Sequence, residues 1–178
     1  MNERLIEASM SGREVPPEAF REVMAALCAP VSVVTTETGD GQPYGATVSA
    51  VASLSLRPPL VSIALDRAST LLAHIQQSNR VGINLLAHEQ QATAAVFARS
   101  GVDRFAGVGW RWEDGLPRID ATTGWLAADV ESFVPAGDHV ILVAAVRAAK
   151  TYAGLPLVYA HRRYGTHSGL RPESHNAE

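Results

Sequence analysis

The chain has 178 residues, 47% of them hydrophobic and 19% charged, with a formal net charge of −3 at pH 7. That is enough for one ordinary domain, which buries roughly 70% of its unfolded surface and needs neither disulfides nor a structural metal. The acidic balance excludes the basic footprint of a nucleic-acid binder, and the single lysine, Lys150, follows Ala149 instead of glycine, which excludes a P-loop lysine and confines Schiff-base chemistry to that position.

Residues 1–15 read as a flexible polar arm, because M-N-E-R-L-I-E-A-S-M-S-G-R mixes charge into every turn and has no leader-like apolar stretch. The folded domain is expected over 16–167, and 168–178 read as a flexible tail. Pro16 and Pro17 open a helix, its apolar face is Phe20, Val23, Met24 and Leu27 at i, i+3, i+4 and i+7, and Pro30 ends it. Cys28 stands alone, so no intrachain disulfide forms; a packed thiol in a reducing compartment is expected. No apolar run is longer than that of 140–146, against the roughly 20 residues a membrane helix needs. A cytoplasmic protein is expected.

Strands follow. Residues 31–36 are β-branched and run into a turn of Gly39, Asp40 and Gly41, closed by Pro43. Over 46–56 every even position is apolar, while Thr47, Ser49, Ser53 and Ser55 carry hydroxyls on the odd ones. That period of two predicts a half-buried strand or a bent pair of strands. Arg57-Pro58-Pro59 makes a corner before a strand over 60–65. Helices are expected over 70–77 (Leu71, Leu72 and Ile75) and 88–99 (Val96 and Phe97 near its end), with a strand over 81–86 between them. After a glycine-rich loop over 101–109 and the turn Gly115-Leu116-Pro117, strand patterns resume at 125–134, 139–149 and 157–160. About six strands with only short helices predict a mainly β, closed or nearly closed barrel rather than a parallel α/β sheet.

Several catalytic signatures are missing. Gly107-Val108-Gly109 continues as W-R-W, so there is no dinucleotide-binding G-x-G-x-x-G, and no G-x-S-x-G elbow occurs. His88-Glu89 starts an H-E-x-x-H, but Ala92 stands where the second zinc ligand belongs. The six histidines show no tight ligand pairing, so no metal site is expected. Three stretches remain as candidates, each with a plain structural alternative. The hydroxyl stripe Thr47, Ser49, Ser53, Ser55 is either the wet face of a strand or a set of neutral donors for a phosphate or ring. Asp103-Arg104-Phe105-Ala106-Gly107 is either a solvated turn or a ligand lid. In Pro135-Ala136-Gly137-Asp138-His139, the histidine either leads an ordinary hairpin strand or meets a ligand, with Asp138 or a carbonyl fixing its tautomer.

Taken together and in order, these stretches resemble the flavin reductase-like family, the small FMN-binding split-barrel reductases that serve two-component monooxygenases. The resemblance runs from about Phe20 to Tyr164. It rests on F-R-E-V-M-A at Phe20, V-S-V-V-T-T at Val31, G-A-T-V-S-A-V-A-S-L-S-L-R-P-P-L-V from Gly45, A-S-T-L-L at Ala68, V-G-I-N-L-L at Val81, D-R-F-A-G at Asp103, G-D-H-V-I-L at Gly137 and R-R-Y at Arg162. It implies a homodimeric Greek-key split β-barrel that transfers hydride from NADH or NADPH to FMN, or alternatively FAD. Reduced flavin would then diffuse to a partner monooxygenase. It further implies that Thr47, Val48, Ser49 and Ala50 lie along the flavin ring and that Ser53, Ser69 and Thr70 serve the ribityl-phosphate end. Asn84 would approach the flavin, Arg104, Phe105 and the catalytic-side His139 would border the nicotinamide, and Tyr164 would close the pocket. One departure stands out: A-A-V at Ala144 to Val146 replaces the family's glycine, polar residue and valine, which predicts a narrowed or repacked pocket. Two other readings of the same fold are a non-catalytic flavin carrier or sensor and an oxidase of a pyridoxine-type phosphate. The second would need more Arg and Lys around its phosphate than a chain with one lysine offers.

Overall fold

The structure, a computed structural model, describes residues 15–167. The tail and all but the last residue of the N-terminal arm lie outside the described residues. Helix α1 (Pro17–Ala26) begins with proline in its first turn, where the missing N–H costs nothing. Strands β1 (Ala29–Pro30), β2 (Ser32–Glu37), β3 (Pro43–Val48), β4 (Val51–Leu56) and β5 (Pro59–Asp66) follow. Then come α2 (Thr70–Ser78), β6 (Arg80–Leu85), a 3₁₀ turn (His88–Gln90) and α3 (Gln91–Phe97). The last part holds β7 (Trp110–Glu113), β8 (Leu116–Ile119), β9 (Gly124–Ala136), β10 (His139–Thr151), β11 (Val158–Ala160) and β12 (Arg163–Gly165). No helix among the described residues is long and apolar enough to cross a membrane.

Seven strands form one antiparallel sheet in the order β3-β2-β6-β9-β10-β5-β4. Its two edge strands, β3 and β4, are consecutive in the chain and joined only by Ser49 and Ala50, so the sheet has to curl round to bring its edges together. β2 is buried on both faces because two cores meet across it. Val34 faces one core with Ile63, Ile83 and Leu142, roofed by Leu71, Leu72 and Ile75 of α2. Val33 faces the other with Leu86, Phe97, Ile119 and Leu157. The β7–β8 hairpin covers the far side of β6 and β9, where Leu116 packs on Trp125 and Ala127. That approach needs a glycine beneath it, since a Cβ at Gly82 would sit 2.5 Å from Thr35 Oγ1. The same Thr35 hydroxyl donates to Pro117 O of β8 at 2.7 Å.

The fold corrects the sequence reading in several places, and Cys28, expected as a packed thiol, is exposed. The stretch 46–56 is the bent pair that the sequence allows, broken at 49–50, but the pair's apolar face does not stay inside: Leu54 is 52% and Leu56 84% exposed. β4 is an edge strand, and a register shift between Ser53 and Ser55 turns its outer half away from the core. The apolar face of α1 is likewise uncovered, with Phe20 59% and Val23 72% exposed. Residues 110–119 form a hairpin where a loop and turn are expected from sequence, because strands of four residues interrupted by Pro117 carry too little periodicity to read. Finally, Ala144 lies fully buried in the first core, with Val146 packed against it. The A-A-V departure is therefore interior packing.

Candidate active site

The β9–β10 hairpin and the β5–α2 turn meet at one corner because His139 pairs in register with Asp66. Arg67 N–H donates to Asp138 O at 3.0 Å, and Arg67 Nε reaches His139 O at 3.5 Å. Asp66 Oδ1 accepts from Ala68 N–H at 2.7 Å, which turns the chain into α2. Ser69 is the N-cap of that helix, its hydroxyl oxygen accepting from Leu72 N–H at 3.5 Å, and Thr70 is exposed on the first turn. Ala50, in the β3–β4 link, accepts from Ala64 N–H at 3.0 Å, two residues from Asp66. Ser49 and Ala50 are exposed there, and Ser53 is exposed on β4 beyond. A helix start, an arginine and the exposed Thr70 thus meet beside the β3–β4 link, a donor set suited to phosphate, while Ser53 lies further along β4 opposite Val61.

His139 opens this corner to solvent. Its side chain is 44% exposed, and its Nδ1 lies 2.7 Å from Asp138 Oδ1. The carboxylate takes Nδ1, which leaves Nε2 as the ring nitrogen for a ligand. The hydrogen bond and then the charge of His139 hold the Asp138 carboxyl below its ordinary value of 3.8. A depressed carboxyl pKa means the contact is complete above that value and is lost as pH falls through the lower folded one. The Asp138 carboxylate therefore stays ionised throughout neutral pH.

Arg104 and Phe105 belong to a second group of contacts, around the start of β3. Arg104 donates through Nη1 to Gly45 O at 2.6 Å and through Nε to Arg99 O at 2.7 Å, and its guanidinium lies 5.3 Å from the Tyr44 ring centroid. Tyr44 in turn touches His74 of α2, at 4.7 Å between rings. Phe105 stands edge-on to Phe97 at 5.0 Å and to Trp110 at 5.1 Å. A cleft of about 330 Å³ opens over Pro43, Tyr44, Gly45, Arg104 and Phe105. The family resemblance groups Arg104 and Phe105 with His139. The fold instead gives His139 to the β5–α2 corner, because strand register, not sequence order, decides its neighbours. Tyr44 and His74, which link α2 to the second group, carry no sequence signal beyond ordinary strand and helix residues.

Three expected ligand contacts are committed to the protein itself. Asn84 is fully buried. Its Nδ2 donates to Val33 O at 3.1 Å and Thr35 Oγ1 at 3.3 Å, while its Oδ1 accepts from Ile119 N–H at 2.8 Å. This side chain ties β6 to β2 and β8 and has no accessible polar atom to offer a flavin. Thr47 Oγ1 donates to Ala94 O at 2.7 Å, anchoring α3. Val48 is a buried core residue whose carbonyl accepts from Ser32 Oγ at 2.8 Å. Tyr164 is half-buried against the second core, its ring 5.0 Å from Tyr159. Burial, then the neighbouring Tyr159, raises its pKa above the ordinary 10.0, so the phenol stays neutral. Lys150 is paired elsewhere: it and Arg118 hold Glu113, and its hydrogen bond is the main cause of that carboxyl's lowered pKa.

Comparison with known proteins gives the family. The family described as flavin reductase like domain matches residues 24–168. A protein of Rhizobium meliloti (strain 1021) named "Probable flavin reductase" is 34% identical over 158 residues, 88% of this chain, but the chain spans only about half (51%) of that relative's length. The reductase component of a 4-nitrophenol 4-monooxygenase/4-nitrocatechol 2-monooxygenase of Rhodococcus opacus is 36% identical over 146 residues, 82% of this chain and 78% of that one. Among solved structures, the styrene monooxygenase flavin reductase of Pseudomonas putida S12 superposes with a TM-score of 0.78 at 30% identity, covering 83% of this chain and 97% of that one. The chain belongs to the flavin reductase-like family.

Proposed function

We propose that the chain catalyses NAD(P)H-dependent reduction of flavin, FMN with FAD as the alternative, and releases reduced flavin to a partner monooxygenase. The observation that carries this reading is the convergence of the β3–β4 link, the start of α2 and His139 at one corner. The chemistry itself, hydride transfer from nicotinamide to flavin, is supplied by the two bound groups. The protein's part is to bind and orient them. Thr70, Ser69, Arg67 and the free N–H groups of α2 hold the flavin phosphate, Ser49, Ala50 and Ser53 line its path, and His139 positions the nicotinamide. Thr47, Val48 and Asn84 contribute through backbone and packing, and Arg104 and Phe105 wall the approach over β3.

The finer architecture follows the same reading. Strands β3 and β4 are the two lips of a Greek-key split barrel. The apolar surfaces left open by a single chain, Leu54 and Leu56 on β4 and the Phe20 and Val23 face of α1, become the contact of a cytoplasmic homodimer. Leu54→Glu with Leu56→Glu is expected to leave a folded monomer in analytical ultracentrifugation; an unchanged dimer would reject this interface.

The reductase reading is tested by following NADH and NADPH absorbance with FMN, FAD or riboflavin. Continuous oxidation is expected, whereas flavin binding without oxidation would make the chain a carrier. Thr70→Val is expected to weaken FMN binding about tenfold, the order of one charge-assisted hydrogen bond. Riboflavin, which has no phosphate, should bind this variant as before. Equal losses for both ligands would remove the phosphate from the start of α2.

A further inference from the structure

A second cleft of about 620 Å³ lies between the β2–β3 turn and the loop 101–109, and of its lining residues the reductase reading uses only Phe105. One wall is Gly41, Gln42 and Pro43; the other is Asp103, Phe105, Trp110 and Trp112. The aromatic wall is built outward from the core. Phe97 is fully buried, Phe105 stands edge-on to it, Trp110 edge-on to Phe105, and Trp112 edge-on to Trp110 with ring centroids 5.6 Å apart. Each ring fixes the next, so the outermost indole, 44% exposed, is a preorganised stacking surface. Gln42 adds an amide that both donates and accepts, the pattern that recognises an adenine edge.

Among the described residues, Asp103 is the only charged one lining the cleft. Its Oδ1 accepts from Phe105 N–H at 3.0 Å and Ala106 N–H at 3.2 Å, which holds the carboxylate in place. Among the described residues it has no ion pair, and the adjacent Arg104 is committed to two backbone carbonyls. A fixed, unneutralised carboxylate favours a pair of hydroxyls as partner and repels a phosphate. The cleft shares Pro43, Asp103 and Phe105 with the cleft over Tyr44 and Arg104, so the two adjoin at the start of β3.

We propose that this cleft binds an adenosine group with a free 2′-hydroxyl, its base stacked on Trp112 and its ribose diol at Asp103. NADH and FAD both carry that group, and NADPH carries a 2′-phosphate instead. The inference rests on the reductase reading and adds a determinant of specificity to it.

The test uses adenosine 5′-monophosphate and adenosine 2′,5′-bisphosphate as probes on the flavin-free protein, with quenching of tryptophan fluorescence as the readout. The monophosphate is expected to bind at least tenfold more tightly than the bisphosphate. Trp112→Ala should weaken monophosphate binding about tenfold, the order of one stacked base. Asp103→Asn, which keeps the oxygen that accepts the two N–H groups, should bring the two probes to near equality and raise the NADPH-to-NADH ratio of kcat/KM in the same proportion. Kinetics of Trp112→Ala identify the source. A raised KM for NADH with FMN as acceptor means the adenosine of NADH sits there, and a raised KM for FAD but not FMN means that of FAD. Equal binding of the two probes by the unaltered protein, or monophosphate binding indifferent to both substitutions, overturns the proposal. Because the titrations need no turnover, a protein that reduces flavin but ignores the monophosphate defeats only this inference. One that binds the probe without oxidising NADH defeats only the reductase reading.

Discussion

Replacing His139 with alanine is expected to raise the KM for NADH about tenfold or more while FMN affinity changes less than about twofold. The expectation follows from how the side chain is held. Register with Asp66 fixes its backbone, Arg67 donates to its carbonyl, and Asp138 takes Nδ1. Only Nε2 is left to meet a ligand, and one hydrogen bond to a bound group is worth roughly 0.5–1.5 kcal/mol, more when charge assists. Fixed orientation adds to that, because a poorly aimed hydride donor reacts slowly even when bound. Asp138→Asn offers a graded comparison. It keeps an acceptor for the ring but removes the charge, so it should give a smaller rise in KM than His139→Ala. Steady-state kinetics with NADH varied at saturating FMN, beside an independent FMN titration, measure both quantities. Unchanged NADH kinetics would take His139 out of the site, and a matching loss of FMN affinity would move it to the flavin.

The second large effect concerns stability. Asn84→Ala removes three hydrogen bonds from a fully buried position and strands the Ile119 N–H and the Val33 carbonyl without that partner. Leaving buried polar groups unpaired costs about 1–3 kcal/mol each. A total near 3 kcal/mol is expected, which in a domain of this size lowers Tm by about 6–12 °C. Thermal unfolding followed by circular dichroism measures it. Asn84→Asp is no rescue, because a carboxylate can still accept from Ile119 N–H but cannot donate to Val33 O and brings a buried charge. Flavin affinity of the folded fraction should stay near that of the unaltered protein. Normal Tm with lost flavin affinity would return Asn84 to the flavin contacts that the family resemblance implies.

Asn84 also shows where sequence reasoning stops. The V-G-I-N-L-L segment reads correctly as a strand from its β-branched residues, and the structure places it at Arg80–Leu85. What that reading cannot supply is the neighbour, since the Ile119 N–H that takes Asn84 Oδ1 lies 35 residues further on. Thr47 is a similar case: its alternation with apolar residues is visible, but Ala94 O, 47 residues away, is not. For Ser69 and Thr70 the local signal is enough, because an N-cap and a first-turn hydroxyl are properties of adjacent residues. The face of α1 is half legible. The i, i+3, i+4, i+7 pattern predicts the helix correctly, but nothing in it tells whether the chain's own core or another surface covers it.

The sequence by itself determined the chemistry's boundaries: a mainly β domain, one lysine, none of the common nucleophile or zinc motifs, and hydroxyls and turns in the order of a flavin reductase. These depend on residue type and short spacing, which survive in a linear reading. The tertiary structure alone decided which of those hydroxyls and amides are free for a ligand. Packing engages Thr47 with α3 and Asn84 with β2 and β8, leaves Ser49, Ser53 and Thr70 open, and strand register brings His139 to Arg67 rather than to Arg104. A polar group serves a ligand only when no protein partner has taken it, and that partner is set by strand register over distances a local pattern does not span. The sole lysine illustrates the same division, since its rarity is plain in the sequence and its ion pair with Glu113, 37 residues earlier, belongs to the fold.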